Sequence, residues 1–139
     1  MLNTILAESH SGTRWLVVLI ALAVLVRFAV GAARSGTYDN VAKGLFTAFT
    51  VLLTIQWVLG VVYWIYYWIT IGFQAAHIVH LLIMTVALGL VHMARARWGG
   101  DQLPDSDAYR RQLLTTVGSL VLVFIGVIVL PGGIARWTF

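Results

Sequence analysis

The sequence predicts an all-α integral membrane protein, an up-and-down bundle of four helices forming a single domain over residues 1–139. Three observations lead to this prediction. Hydrophobic residues make up 60% of the chain and charged residues only 10%, whereas soluble domains are nearer to about one-quarter charged. The apolar residues fall into four segments of roughly the 20 residues that cross a bilayer. The connections between these segments are short, and short connections make consecutive helices antiparallel neighbours.

The four predicted spans are separated by residues that favour turns. Ser35 and Gly36 lie in the first connection, and residues 69–72 form a very short second one. The third connection, residues 99–107, contains Pro104, and Pro131 with the two glycines after it ends the last span. The predicted spans are residues 13–33, 45–66, 73–93 and 113–130.

Charge in the connections predicts the orientation of the bundle. The first connection carries Arg34 and Lys43, the second carries no charge, and four arginines flank or lie in the third, namely Arg95, Arg97, Arg110 and Arg111. By the positive-inside rule, connections one and three face the cytoplasm. Both termini are then expected on the outer, periplasmic side of a bacterial cytoplasmic (inner) membrane. The tyrosines and tryptophans of residues 63–68 fit an outer interfacial belt.

Composition also excludes several function classes. The formal net charge of +4 does not indicate nucleic-acid binding, because the basic residues lie mostly around the connections, where they act as topology signals and headgroup contacts. The chain has no cysteine, which excludes disulfides, iron–sulfur clusters and the thioether attachment of c-type haem. Glu8 is the only glutamate and the aspartates lie in connections, so hydrolysis and group transfer are not expected. The N-terminus lacks the features of a cleaved signal peptide, so we expect the first span to be retained.

Four histidines in so apolar a chain are the main functional signal, because ionisable groups at membrane depth are costly. His10 lies at the start of the first span, and His77 and His80 lie near the start of the third. These two spans run in the same direction in an up-and-down bundle, so the three imidazoles are expected to meet at the outer face. Two imidazoles from facing helices can hold a b-type haem in such a bundle, and three would suit copper or zinc.

The remaining polar residues of the spans have different expected roles. Arg14 is one helical turn from His10, where its guanidinium could pair with a haem propionate, the alternative being a snorkelling interfacial cation. His92 lies 12 residues beyond His80, roughly 18 Å further along the helix, so it cannot serve the same iron. We expect an interfacial or structural role for His92, with proton transfer or a quinone contact as alternatives. Gln56 is expected to hydrogen-bond across the bundle.

Two short motifs resemble a known family. Residues 10–17, His-Ser-Gly-Thr-Arg-Trp-Leu-Val, are similar to the His-Ser-x-x-Arg-Trp-Leu opening of short four-helix bacterial membrane proteins labelled cytochrome b-like. His80, Met84 and His92 resemble the second signature of that family, which an arginine-rich segment follows. The family usually has Glu-His-Pro where this chain has Val79, His80 and Leu81. The resemblance covers most of the chain in number and length of spans, favours His80 over His77, and implies a haem-binding or redox-chain role.

The sequence therefore predicts a small cytochrome b-like protein that passes electrons in a respiratory or photosynthetic chain. One haem b is expected near the outer face, held by His10 and His80 (or His77), with Arg14 on a propionate. The alternative is a cofactor-free accessory subunit that packs against and stabilises a larger respiratory or photosynthetic complex. A copper or other metal site of His10, His77 and His80 ranks third. The expected partners are the lipid bilayer, other transmembrane subunits and quinone, and no nucleic acid.

Overall fold

The computed structural model describes residues 1–99 and 103–137, and these residues form four long helices. The helices are α1 (Leu2–Ala33), α2 (Asn40–Thr70), α3 (Ala75–Trp98) and α4 (Asp105–Ile128), followed by a short C-terminal 3-10 helix (Gly133–Trp137). No strand occurs in the described residues, so the all-α prediction of a four-helix bundle is confirmed. The middle of the third predicted connection, residues 100–102, lies outside the described residues.

All four helices are long and apolar enough to cross a bilayer. Even α3 and α4, with 24 residues each, are about 36 Å long, which exceeds the roughly 30 Å of a hydrocarbon core. The helix α1 begins eleven residues before the predicted start of its span at Thr13, and residues 2–12 contain no proline and only a single glycine, Gly12, to interrupt it. As a result, His10 and Arg14 lie within the helix and not at its first turn.

The helices pack in a ring. Each helix contacts the next in the sequence, and α4 closes the ring against α1, while the diagonal pairs α1–α3 and α2–α4 make no close backbone contact within the described residues. The space along the axis of the bundle must therefore be filled by side chains or left open.

Buried residues fill this axis in one half of the bundle. They recur three or four positions apart, which places them on one face of a helix, as in the α1 series Val17, Ala21, Val24, Phe28 and Gly31. The α1 series begins at Val17, the α2 series ends at Leu53, and the α3 series begins at Ala87. The packed core of these three helices thus lies toward the end of the bundle that contains the first connection.

Aromatic rings close this end of the bundle, and we call their cluster the aromatic end: Phe28, Tyr38, Phe46, Phe49 and Tyr109. The Tyr109 ring lies 5.5 Å from the Phe28 ring and 5.0 Å from the Tyr38 ring, edge to face. The Tyr109 hydroxyl donates to the Thr37 carbonyl (2.8 Å), and the Tyr38 hydroxyl donates to Gln112 Oε1. Burial raises the pKa of Tyr38 to about 12, so this hydroxyl keeps its proton at neutral pH.

Asp39 fixes the first connection to two elements at once. One carboxylate oxygen accepts a hydrogen bond from the Ala42 backbone N–H (2.9 Å) and caps α2, while the other pairs with Arg27 of α1 at 3.0 Å. The backbone hydrogen bond from Ala42, followed by the bond from Arg27, lowers the pKa of the Asp39 carboxyl. The cap thus joins the start of α2 to the end of α1.

Replacement of Gly31 by alanine should destabilise the bundle. A Cβ at this position would lie 2.6 Å from the Tyr109 ring, which Phe28 and Tyr38 hold in place. We expect a loss of about 1–3 kcal/mol, as for other overpacked cores, measured by unfolding in detergent. Gly44→Ala is the matched control, because nothing lies within 4 Å of its added Cβ. Equal stability of the two variants would contradict the close approach of Gly31 and Tyr109.

Asp39→Asn should make the stability of the protein less dependent on pH. Folding lowers the pKa of Asp39, so its contribution is complete above the unfolded-state pKa of about 3.9 and is lost as the pH falls through the folded-state value. The variant should therefore unfold at a lower temperature than the wild type at pH 7, and the two midpoints should converge at low pH. A difference that stays constant across this range would show that the charge of Asp39 does not stabilise the fold.

Candidate functional site

A cavity of about 400 Å³ occupies the half of the bundle opposite the aromatic end. All four helices and the C-terminal 3-10 helix contribute to its lining, and its volume falls in the range of about 300–1,000 Å³ that is usual for small-molecule sites. Much of the wall is apolar or aromatic, with Trp57, Tyr63 and Trp64 among the lining residues. The cationic, imidazole and amide side chains in the lining include His10, Arg14, Gln56, His77, His80 and Arg136.

His10 reaches the cavity from α1 and is held by Gln56 of α2. The side-chain nitrogen of Gln56 lies 2.9 Å from the main-chain oxygen of His10, 3.2 Å from Nδ1 and 3.3 Å from Nε2. An amide has two hydrogens, so one can bind the main-chain oxygen while the other serves a single ring nitrogen. The second ring nitrogen of His10 therefore needs no bond to Gln56. The predicted hydrogen bonding of Gln56 across the bundle is confirmed.

Gly60 explains how the imidazole of His10 fits against α2. A Cβ at position 60 would lie only 2.8 Å from His10 Cε1 and 3.3 Å from Nδ1. The absence of a side chain at Gly60 thus provides the space in which the His10 ring lies, between α1 and α2.

His80 reaches the cavity from α3 and is held by the last turn of α4. Its Nδ1 lies 2.6 Å from the carbonyl oxygen of Gly126. A carbonyl only accepts hydrogen bonds, so Nδ1 must carry the proton, and Nε2 keeps its lone pair. This arrangement, with Nδ1–H donated to a main-chain carbonyl, is the one that commonly orients a metal-ligating histidine.

The end of α4 makes the Gly126 carbonyl available. The backbone N–H of Leu130, which would continue the helix by bonding Gly126, bonds the carbonyl of Val127 instead (3.2 Å), and Pro131 follows. Gly126 therefore belongs to the last turn, whose carbonyls have no partner within the helix. Its small size also matters, because a Cβ there would collide with the methyl group of Met84 and come within 3.6 Å of His80 Nδ1.

His77 lines the same cavity but has a different environment. Its ring packs edge to face on Tyr67 at 4.9 Å, near the turn between α2 and α3.

The three histidines predicted to gather at one end of the bundle, His10, His77 and His80, line one cavity. Within residues 1–99 and 103–137, however, no three side chains of the His, Cys, Asp or Glu type are grouped closely enough to hold a metal ion. The geometry therefore does not provide the three-imidazole copper or zinc site considered from sequence.

Arg14 lies on the same cavity as His10, consistent with their spacing of one helical turn. Its guanidinium carbon is 5.4 Å from the Trp15 ring and 5.2 Å from the Trp137 ring. Its Nε is buried and has no hydrogen-bond partner among the described residues, and the same is true of Gln56 Oε1. Both residues line the cavity, while these two particular atoms are covered by protein.

His92 lies away from this cavity, as its spacing from His80 predicts. Its Nε2 is 3.0 Å from Thr54 Oγ1, and it lines a separate cavity of about 480 Å³ together with Tyr38 and Arg95. No second imidazole lines that cavity, so the structure offers no second pair of histidines within its described part.

Sequence reasoning missed the contribution of the C-terminal segment and of two glycines. The sequence predicts only that Pro131 and the two glycines after it end the last span, yet Arg136 lines the cavity and Trp137 packs on Arg14. The basic and aromatic pair after the helix stop was the one available signal. Nothing in the sequence distinguishes Gly60 and Gly126 from glycines that only promote packing.

No family model, curated protein or solved structure matches this chain, so the interpretation of the cavity depends on its own geometry.

Proposed function

We propose that this chain is an integral membrane protein that binds one b-type haem in the cavity and carries electrons. The hydrogen bond from His80 Nδ1 to the Gly126 carbonyl is the main support, because it leaves Nε2 as the nitrogen that can bind iron. His10, on the diagonally opposite helix, supplies the second imidazole. Arg14 would pair with a propionate.

The residues of the cavity fit a haem in three respects. The donor set consists of two imidazoles on opposite sides of a mostly apolar space, which suits bis-histidine ligation in a helical bundle. Gly60 forms a recess that a Cβ would fill, so the His10 ring can be accommodated there. Arg14 lines the cavity, and the terminal nitrogens of its guanidinium can donate to a ligand carboxylate.

When bound, the haem supplies one-electron redox chemistry, and the chain's own residues position it and set its surroundings. Gln56 and Gly126 hold the two imidazoles through hydrogen bonds. The aromatic residues Trp57, Tyr63 and Trp64 reduce the access of water, which is one of the factors that set a haem potential. The chain would pass electrons between membrane quinol and a partner protein.

We place the chain in the bacterial inner membrane with both termini and the haem toward the periplasm. The four helices have the length and apolar character that this requires. The uncharged turn between α2 and α3 adjoins the cavity, and aromatic side chains cluster there, with the Trp64 and Trp68 rings 5.4 Å apart. Both features fit the outer interface, whereas the basic residues cluster at the first and third connections.

The visible spectrum of the purified protein tests the proposed function. In mild detergent, with added hemin, we expect one haem per chain, with a Soret band and a reduced α-band. His80→Ala and His10→Ala should lose this low-spin spectrum, whereas His92→Ala should keep it. His77→Ala tests the alternative ligand, and we expect it to keep the spectrum because its ring packs on Tyr67.

Two results would contradict the haem proposal. One is a protein that folds, by circular dichroism, but binds no hemin. The other is an unchanged spectrum in His80→Ala. A colourless protein that co-purifies in stoichiometric amount with a respiratory or photosynthetic complex would instead support the accessory-subunit alternative.

Gln56→Leu should weaken haem binding without removing a ligand. The variant loses the amide that holds His10, and such supporting contacts commonly change metal affinity about 10–100-fold. Gln112→Leu is a matched control, because it removes a buried amide at the aromatic end, far from the cavity. Hemin titration should therefore show weaker binding in Gln56→Leu alone. Equal affinities would mean that Gln56 does not position His10 for the ligand.

A further inference from the structure

Two arginines line the cavity and have no acidic partner among residues 1–99 and 103–137. Arg14 comes from α1 and Arg136 from the C-terminal 3-10 helix, and both line the cavity. The one ion pair in the described part of the chain joins Arg27 to Asp39, at the other end of the bundle. Trp137, which follows Arg136 directly, packs on Arg14 at 5.2 Å, so the two cations lie in the same part of the cavity wall. Like charges in one part of a cavity wall repel each other, and an anion bound between them would offset this repulsion.

Arg14 is held in place by contacts that leave hydrogen-bonding capacity unused. The Trp15 and Trp137 rings lie within 5.4 Å of its guanidinium carbon. One terminal nitrogen is 3.5 Å from Ser11 Oγ, at the limit of a hydrogen bond, and the buried Nε has no partner among the described residues. The terminal nitrogens of this guanidinium therefore keep donors that can bind an acceptor supplied by a ligand.

The chain after α4 folds so that Arg136 comes back to the cavity. Gly132 and Gly133 have φ values of +97° and +51°, which glycine adopts more easily than other residues. The Arg136 Nε–H donates to the carbonyl of Pro131, which fixes the stem of the side chain. The two terminal nitrogens of Arg136 are not used by this bond and can form a further pair.

We infer that Arg14 and Arg136 bind two carboxylates on one edge of the cavity's ligand, and that the 3-10 helix Gly133–Trp137 covers that edge. A guanidinium forms two parallel hydrogen bonds with a carboxylate, so two arginines match two carboxylates. The ligand must then be flat or apolar over most of its surface, to suit the aromatic wall, and dianionic at one edge. The identity of this ligand rests on the proposed function: a haem has two propionates on one edge, and Arg136 is their second partner.

Haem and its dimethyl ester, which lacks the two negative charges, test this inference. Each is titrated into the full-length apoprotein in detergent, and affinity is measured from the Soret band and from tryptophan fluorescence quenching. The wild type should bind haem at least about tenfold more tightly than the ester, since hydrogen bonds to charged groups are lost in the ester. Arg136→Gln should weaken haem binding about tenfold and leave ester binding unchanged. Arg136→Lys should recover part of the preference for haem over its ester, because lysine restores the positive charge but cannot form the two parallel hydrogen bonds of a guanidinium.

The control and the contrary outcomes separate the two proposals. Arg110→Gln removes an exposed arginine of α4 far from the cavity and should behave as the wild type. If haem and its ester bind equally and Arg136→Gln has no effect, while the spectrum still depends on His80, the carboxylate pairing is wrong and the haem proposal stands. If neither compound binds to the folded wild type, both proposals are wrong. Arg136 is exposed on a short terminal segment, so its variants are expected to fold.

Discussion

The hydrogen bond from His80 to the Gly126 carbonyl connects the end of a helix to the chemistry of the cavity. It exists because α4 stops at Ile128, leaving the carbonyl of its last turn without a backbone partner. Because Nδ1 donates its proton to that carbonyl, the neutral imidazole of His80 is restricted to one tautomer, in which Nε2 is the unprotonated nitrogen. The bond thus satisfies the helix end and fixes the orientation of the imidazole at the same time. The glycine also matters, because a side chain at position 126 would displace Met84 and crowd the imidazole.

The two halves of the bundle differ in how their polar groups are satisfied. The aromatic end has rings packed edge to face, a capped α2 and the Arg27–Asp39 pair, so its polar groups mostly have partners inside the protein. The cavity end has partly buried groups whose capacity is unused, such as Arg14 Nε and Gln56 Oε1. A polar group left without a partner destabilises a fold, so the proposed ligand would have a stabilising effect if it bonded groups at this end. The densely packed half therefore holds most of the stabilising contacts, and the other half holds the cavity.

Sequence reasoning predicted the fold well because apolar length and turn residues are local signals. Four helices follow directly from them, and so does the gathering of His10, His77 and His80, since spans one and three must run in the same direction. The start of α1 at Leu2 was not predicted, because a hydropathy pattern reports where a chain is apolar and not where it is helical. Gln56 could be predicted to bond across helices, but its partner His10 could not. The roles of Gly60, Gly126 and Arg136 depend on which helices meet and on how the chain turns after Pro131, which are tertiary properties.

The contacts at both ends of α4 constrain how this protein can change over evolution. Tyr109 packs beneath Gly31 at one end, and the Gly126 carbonyl receives His80 at the other, about 25 Å away along the helix. An insertion or deletion of one residue between them would rotate one contact by about 100° relative to the other. Substitutions on the outer surface of α4 leave this relation intact, whereas a change in length breaks it. The outward-facing positions between Tyr109 and Gly126 should therefore tolerate variation in composition, whereas the number of residues should stay constant.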